Sequence, residues 1–345
     1  MRNVHRWLLL PVLVVVLAIT SISAGRPSES TGTARAIEVA NSHAQDILNN
    51  VGITGIGAGL GTDGRAVVVI LTESAGITGL PSELDGVKVV VRVSGKFVAL
   101  NPPPHNHGGG DKDKVEVDPT ARFDRPVPIG VSTGHPSITA GTIGARVTKG
   151  GSVYALSNNH VYAASNAASI GDAVIQPGTF DGGAAPGDTI GTLAEYKEIL
   201  FDGSDNTIDA AIALSSTANL GNSTPSDGYG TPQSATVAAS INQKVKKYGR
   251  TTGETKGSVQ GIGFTINVDY GAAGVATFVN QIVIGPGSFS AGGDSGSLIV
   301  DDSKGKGKGD NGKPVGLLFA GSFFFTIANP IDPVLDEFGV TIDGQ

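Results

Sequence analysis

Apolar and polar positions along the 345-residue chain change their spacing several times. Near the start, Trp7 to Ile19 is an unbroken apolar run, with Arg2 and Arg6 before it and the small residues Thr20, Ser21, Ser23 and Ala24 behind it. This is the layout of a secretory signal peptide, residues 1–24, cleaved after Ser23 or Ala24; the alternative is an uncleaved anchor. The run is short for a bilayer span, and no later run approaches ~18 apolar residues. From 33 to 100 the spacing becomes helical and then strand-like. Ile37, Ala40, Ala44, Ile47, Leu48 and Val51 predict an amphipathic helix over 34–50, ended by Gly52. Ile53 to Leu60 and Ala66 to Leu71 read as strands, joined by a hairpin turn at Asp63-Gly64. Val87 to Val93 reads as a third strand and Phe97 to Leu100 as a fourth, giving a small α+β domain.

Residues 101–125 break the pattern with Pro102 to Pro104, Gly108 to Gly110 and alternating Asp and Lys. They read as a flexible linker. His105 and His107 with Asp111 and Asp113 have ligand chemistry, but no rigid element fixes their geometry. From 126 to 345 short strands recur every 8–15 residues or so, among them 141–147, 153–156, 173–175, 210–214, 244–248, 258–262, 281–284, 297–300 and 315–319. That spacing predicts a large all-β barrel or sandwich. Asp332, Pro333, Val334, Leu335 and Phe338, followed by Gly339, predict a short terminal helix.

Composition narrows the classes. Glycine occurs 51 times, about twice the usual share, without the three-residue period of collagen. The net charge is −7 and no basic cluster interrupts the folded part, which argues against a nucleic-acid partner. There is no cysteine, so disulfides, thiolate metal sites and a thiol nucleophile are excluded. Gly55-Ile56-Gly57-Ala58-Gly59 lacks the spacing and the following helix of a dinucleotide site and reads as a closely approached strand. Asp172, Asp181 and Asp188 lie among glycines without a calcium-loop pattern. No cofactor and no metal are expected.

Three segments carry chemistry. In Gly292-Gly293-Asp294-Ser295-Gly296-Ser297 a serine sits between glycines just before an apolar strand. A hydroxyl becomes a nucleophile only beside a base. The backbone N–H groups of Gly293 and Ser295 can converge on one developing oxyanion. His160 closes the run Tyr154-Ala155-Leu156-Ser157-Asn158-Asn159 and suits proton transfer near neutrality. His5, His43, His105 and His107 lie outside the β region, which leaves His135 and His160. Asp209 opens the apolar run Ala210 to Leu214, where a carboxylate needs a partner; Asp202 and Asp205 sit in a Gly-Ser turn instead.

The order His160, Asp209, Ser295 separates this chain from subtilisin-type and α/β-hydrolase arrangements. With these motifs, residues 126–341 resemble the chymotrypsin-like (trypsin-fold) serine proteases, in particular the secreted bacterial branch that includes streptogrisin and α-lytic protease. Tyr248-Gly249-Arg250-Thr251-Thr252-Gly253 is similar to a turn of the bacterial enzymes. The resemblance implies two antiparallel six-stranded β-barrels with a short C-terminal helix, preceded by the small α+β domain. It implies a catalytic triad of Ser295, His160 and Asp209, with an oxyanion hole from Gly293 and Ser295, and Arg250 paired to Asp294. It also implies that Val315 to Ser322 binds substrate backbone, with Phe289, Phe319, Ala320 and Gly321 bounding the specificity pocket. Phe319 and Ala320 depart from the family's usual Ser-Trp and remove a hydroxyl that would support the aspartate. Phe289 stands where trypsin-type enzymes carry an acid, so a small or medium hydrophobic side chain is the expected preference. The small domain, 33–100, lies where relatives carry a propeptide, which implies a folding chaperone and inhibitor released by cleavage in the linker; the alternative is a permanent accessory domain.

Two function classes follow. One is a secreted, monomeric serine endopeptidase of bacterial-type export, acting on protein or peptide substrates, with no nucleic-acid partner and no membrane partner once the signal is removed. The other is a catalytically silent trypsin-fold protein serving as a binding or surface module. An esterase on the same fold is a narrower option.

Overall fold

The computed structural model describes residues 29–99, 117–303 and 311–345. The expected signal peptide, residues 101–116 of the expected linker, with His105, His107, Asp111 and Asp113, and most of the Gly305 to Lys313 loop lie outside the described residues. Residues 117–125, expected as flexible linker, instead lie along the first barrel, where Arg122 pairs with Asp188 and Phe123 packs against the apolar core. The chain begins with α1 (Glu29–Leu48), β1 (Ile53–Leu60), β2 (Ala66–Thr72), β3 (Glu83–Leu84), β4 (Val87–Val93) and β5 (Phe97–Ala99). There follow β6 (Ser132–Thr133), β7 (Gly141–Thr142), β8 (Ala145–Lys149), β9 (Ser152–Ser157), α2 (Asn159–Tyr162), β10 (Ala173–Ile175), β11 (Thr189–Tyr196), β12 (Asp205–Asn206) and β13 (Ala211–Ser215). The rest is β14 (Lys244–Gly249), β15 (Gly253–Asp269), β16 (Val275–Gly285), β17 (Leu298–Asp301), β18 (Pro314–Gly321), β19 (Thr326–Pro330), α3 (Ile331–Phe338) and β20 (Thr341–Ile342).

Two barrels form from the short strands. In the second, β14, β15, β16, β19, β18 and β17 pair antiparallel in that order, and β17 returns to β14 to close the ring. In the first, β8, β9, β13, β11 and β10 form an antiparallel ladder. A bridge from Ile175 to Gly134 leads on to the β6–β7 pair, and β7 runs into β8, which closes six strands around an apolar core. Closure removes the free strand edges that a sheet of this length would otherwise expose. The terminal helix starts at Ile331, two residues before Pro333, the expected first helical position after an Asp332 N-cap, and is capped by Gly339 with φ +60°. Its Ile331, Val334, Leu335 and Phe338 pack with Ala145, Val147 and Leu317, so the tail pins the two barrels together.

In the N-terminal unit α1 lays Val39, Ala40, Ala44 and Ile47 on Ile56, Val68, Ile70 and Val89. The Asp63-Gly64 hairpin joins β1 to β2 as expected, and β4 pairs parallel with β2. The outer edge of β1 pairs antiparallel with β15 of the second barrel, from Gly55 opposite Ile266 to Gly59 opposite Gly261. A Cβ on Gly57 would stand 2.4 Å from the Phe264 ring, which explains the glycine-rich strand by close approach.

One element departs from expectation. β5 does not extend the small sheet. It lies between β15, parallel (Phe97 opposite Val268), and β18, antiparallel (Val98 opposite Gly321, Ala99 opposite Ala320). Both edges of β2 are already taken, by β1 and β4. Phe97 is instead fully buried among Phe264, Phe278 and Phe319. Three residues carry too little alternation to specify their sheet from sequence.

Candidate active site

The imidazole stands on a single helical turn. β9 delivers the chain to α2, where His160 is 3% exposed. Its Nδ1 lies 2.5 Å from Asp209 Oδ2, and its backbone N–H donates to Asp209 Oδ1 at 3.2 Å. Asp209 is fully buried just before β13. Its position is fixed from both barrels. The Asn158 side-chain amide donates to the Asp209 carbonyl at 2.7 Å. The Asp209 N–H donates to Asn329 Oδ1 at 3.0 Å, and Asn329 donates in turn to Gln281 Oε1 at 2.7 Å. Phe319 supplies no hydroxyl to Asp209, but Tyr270 does, with its Oη 2.8 Å from Oδ2.

Ser295 sits on the turn before β17 and is 1% exposed. The turn rests on the first barrel: Thr142 N–H donates to the Ser295 carbonyl at 2.7 Å. A Cβ on Gly141 would meet Val161 at 2.5 Å and the Ser295 carbonyl at 3.1 Å, so the turn abuts the residue next to His160. Among the described residues, His160 Nε2 and Ser295 Oγ are both buried without a hydrogen-bond partner.

The amides around Ser295 are aimed by their neighbouring carbonyls. Thr251 Oγ1 donates to the Gly292 carbonyl at 2.5 Å, and Thr142 Oγ1 donates to the Gly293 carbonyl at 2.9 Å. The Gly292 carbonyl and the Gly293 N–H belong to one planar peptide, so holding the first directs the second the opposite way. Gly293 adopts φ +92°, which a side chain would strain. Among the described residues, neither the Gly293 nor the Ser295 N–H donates to another group.

The expected Arg250–Asp294 pair is corrected. Arg250 forms a two-pronged ion pair with Asp181 of the first barrel, beneath Phe180. Asp294 faces Lys247, a fully buried ammonium 3.3 Å from Oδ2. Lys247 also donates to Thr252 Oγ1 and, at 3.0 Å, to the Gly253 carbonyl, so three oxygens meet its three protons. Burial pulls the Lys247 pKa down, and the Asp294 carboxylate opposes that pull. Asp294 accepts as well from the N–H groups of Thr251, Thr252 and Ala291 and from the Thr252 hydroxyl. The sequence held a signal for Lys247: it shares a strand face with Val245, which is buried.

Of the expected pocket residues, Phe289, Phe319 and Ala320 are fully buried. Phe289 belongs to the barrel core with Val245, Val259 and Ile284, and Phe319 packs on Phe278 at 4.8 Å. Gly321 and Ala320 hold β5 on the strand expected to bind substrate backbone. Ser290 Oγ and Thr326 Oγ1, 2.6 Å apart, add a hydroxyl pair between Phe289 and β19 that the sequence reading missed. The three glycine-flanked aspartates are each engaged by a cation or imidazole: Asp172 by His135, Asp181 by Arg250 and Asp188 by Arg122.

Among solved structures the chain is similar to a glutamic-acid-specific serine protease, with 22% identity over 63% of this chain and 100% of that one, TM-score 0.44. It is also similar to protease A of Thermobifida fusca (19% identity, 64% and 100% coverage, TM-score 0.44) and to Cellulomonas bogoriensis chymotrypsin (20%, 65% and 100%, TM-score 0.43). No family model and no curated protein matches the chain. The architecture follows from the strand pairing itself. The fold is trypsin-like and all-β. Among the described residues no helix is long and apolar enough to cross a membrane.

Proposed function

We propose that the chain is a secreted serine endopeptidase made as a precursor, with residues 33–100 as a propeptide and 126–345 as the protease. The observation that carries the reading is a buried His160–Asp209 pair with an unbonded Nε2, beside a turn abutting Val161 on which Ser295 keeps an unbonded Oγ and undonated neighbouring amides. In this reading Ser295 Oγ attacks the scissile carbonyl and His160 Nε2 takes its proton. The Gly293 and Ser295 amides hold the oxyanion, and Asp209 keeps the imidazole in the required tautomer. His160 then gives the proton to the leaving amine, and water releases the acyl group from Ser295 by the reverse route.

β5 supports the precursor half of the proposal. It pairs antiparallel with β18 as a bound peptide would, so the intact chain blocks its own cleft. Cutting the chain after Ala99 lets β5 leave with the N-terminal unit, and its departure frees that edge. The test is a fluorophosphonate probe on the secreted protein, with mass spectrometry of the products. The expected result is a chain cut between residues 99 and 126 that takes the label, with no labelling of Ser295→Ala. A single intact species starting near residue 24 overturns the processing. No Ser295-dependent label after removal of the N-terminal unit overturns the enzyme and favours the silent binding module.

A further inference from the structure

Tyr270 touches the acid of the His–Asp pair from an element that the triad logic does not require. It sits at the end of β15, at the tip of the long β15–β16 hairpin, and its N–H donates to the Gly274 carbonyl at 2.8 Å. Its ring is held on three sides. Phe278 stacks at 6.1 Å with an interplanar angle of 28°, Phe201 meets it edge-on at 5.6 Å, and the His160 ring lies edge-on at 5.9 Å. This packing leaves the phenol one place to go, and its Oη lies 2.8 Å from Asp209 Oδ2.

Three donors therefore converge on one carboxylate. Oδ1 accepts the His160 backbone N–H, and Oδ2 accepts both the imidazole Nδ1–H and the phenol. A carboxylate with only the two histidine donors can still swing about its Cβ–Cγ bond. The third donor, arriving from the opposite barrel, removes that freedom. Burial, and next the charge of Asp209, hold the phenol pKa well above its usual value, so it stays protonated and donates.

We propose that Tyr270 is a positioning residue of the reaction, fixing Asp209 and through it the His160 ring, and that the strand carrying it is steadied by whatever peptide occupies the cleft. The second half follows from the register. Val268 and Asp269, directly before Tyr270, pair with Phe97 and Val98 of β5, and Lys96 closes on Asp269 at 2.7 Å. The peptide in the cleft thus grips the residue next to the phenol. A substrate long enough to pair with both β18 and β15 would do the same, so its upstream residues act on the turnover rate as well as on binding.

The inference rests on the protease reading. Its test compares wild type, Tyr270→Phe, and a chain with 3-fluorotyrosine at 270, which keeps the hydroxyl. The proton resonance of His160 Nδ1–H is recorded on the full chain. Steady-state kinetics follow on the processed protein, with peptides of increasing upstream length. Expected for Tyr270→Phe is a kcat about tenfold lower with KM within twofold, as for loss of one hydrogen bond to a charged group. A displaced Nδ1–H resonance and a kcat that no longer rises with peptide length are also expected; fluorotyrosine restores kcat and its rise with length, while its more acidic hydroxyl shifts the resonance through a stronger bond to Asp209. A Tyr270→Phe protein with unchanged resonance and kcat within twofold overturns the proposal. Should Tyr270→Phe not fold, the fluorotyrosine chain decides: a shifted Nδ1–H resonance supports the contact and an unshifted one overturns it. Should wild type itself take no Ser295-dependent label, the protease reading fails, while the resonance still reports whether Tyr270 and His160 share Asp209.

Discussion

Asp209→Asn is expected to lower kcat by about 10⁴-fold while the protein stays folded. The aspartate side chain accepts three hydrogen bonds and donates none. An amide has one oxygen and one NH₂ group, so one edge must turn its own protons toward a donor. If the NH₂ faces the imidazole, the ring has to take the other tautomer, with its proton on Nε2 and no lone pair for Ser295. If it faces the His160 backbone N–H, that amide loses its acceptor and the α2 turn shifts. Either way the base is misaligned, and stability drops by roughly 1–3 kcal/mol for the unmet partner. Steady-state kinetics on the processed protein, with circular dichroism as the folding control, checks this. A well-folded variant within tenfold of wild type would remove Asp209 from the machinery.

The largest stability effect is expected at Lys247. Replacing it with methionine keeps the volume and removes the charge. Asp294 then remains fully buried without a cation, and losing one member of a buried ion pair costs about 3–5 kcal/mol. For a protein of this size that is a fall in Tm of roughly 10 °C. The damage is local as well, because Asp294 directly precedes Ser295, the proposed nucleophile, and its carboxylate holds the Thr251–Thr252 turn that aims the Gly292 carbonyl. Activity should therefore fall more than the folded fraction does. Lys149→Met is the control: its pair with Glu195 is 41% and 44% exposed and contributes below ~1 kcal/mol. Equal melting points for the two variants would mean that Lys247 is not the counter-charge of the turn.

Much of this arrangement was legible because strand periodicity is local. The short strands named from apolar runs recur at nearly the same residues, and β8, β9, β13 and β18 appear where Val, Ile, Leu and Ala alternate or run together. His160 and Asp209 could be paired in advance because a buried carboxylate needs a donor. What remained hidden depends on residues far apart in the chain. Nothing near Tyr270 announces that its hydroxyl reaches Asp209, 61 positions away. Lys247 lies in β14 and Arg250 in the turn three residues on, and which of them meets Asp294 is decided by the first barrel offering Asp181 to the other. β5 has three residues, so its partner is chosen by the depth of the Phe97 socket rather than by its own pattern.

The β1–β15 ladder sets a condition on any mature form. From 261 to 266 β15 has β16 on one side and the N-terminal unit on the other. Detaching that unit would leave a row of unanswered amides and carbonyls along a strand containing Ile262, Phe264 and Ile266, a ready template for a neighbouring molecule. The released protein must either bend that ribbon shut, cover it with a ligand or stay dilute. Solubility after maturation, rather than fold stability, then becomes the quantity that the glycine-rich β1 strand governs from within the precursor.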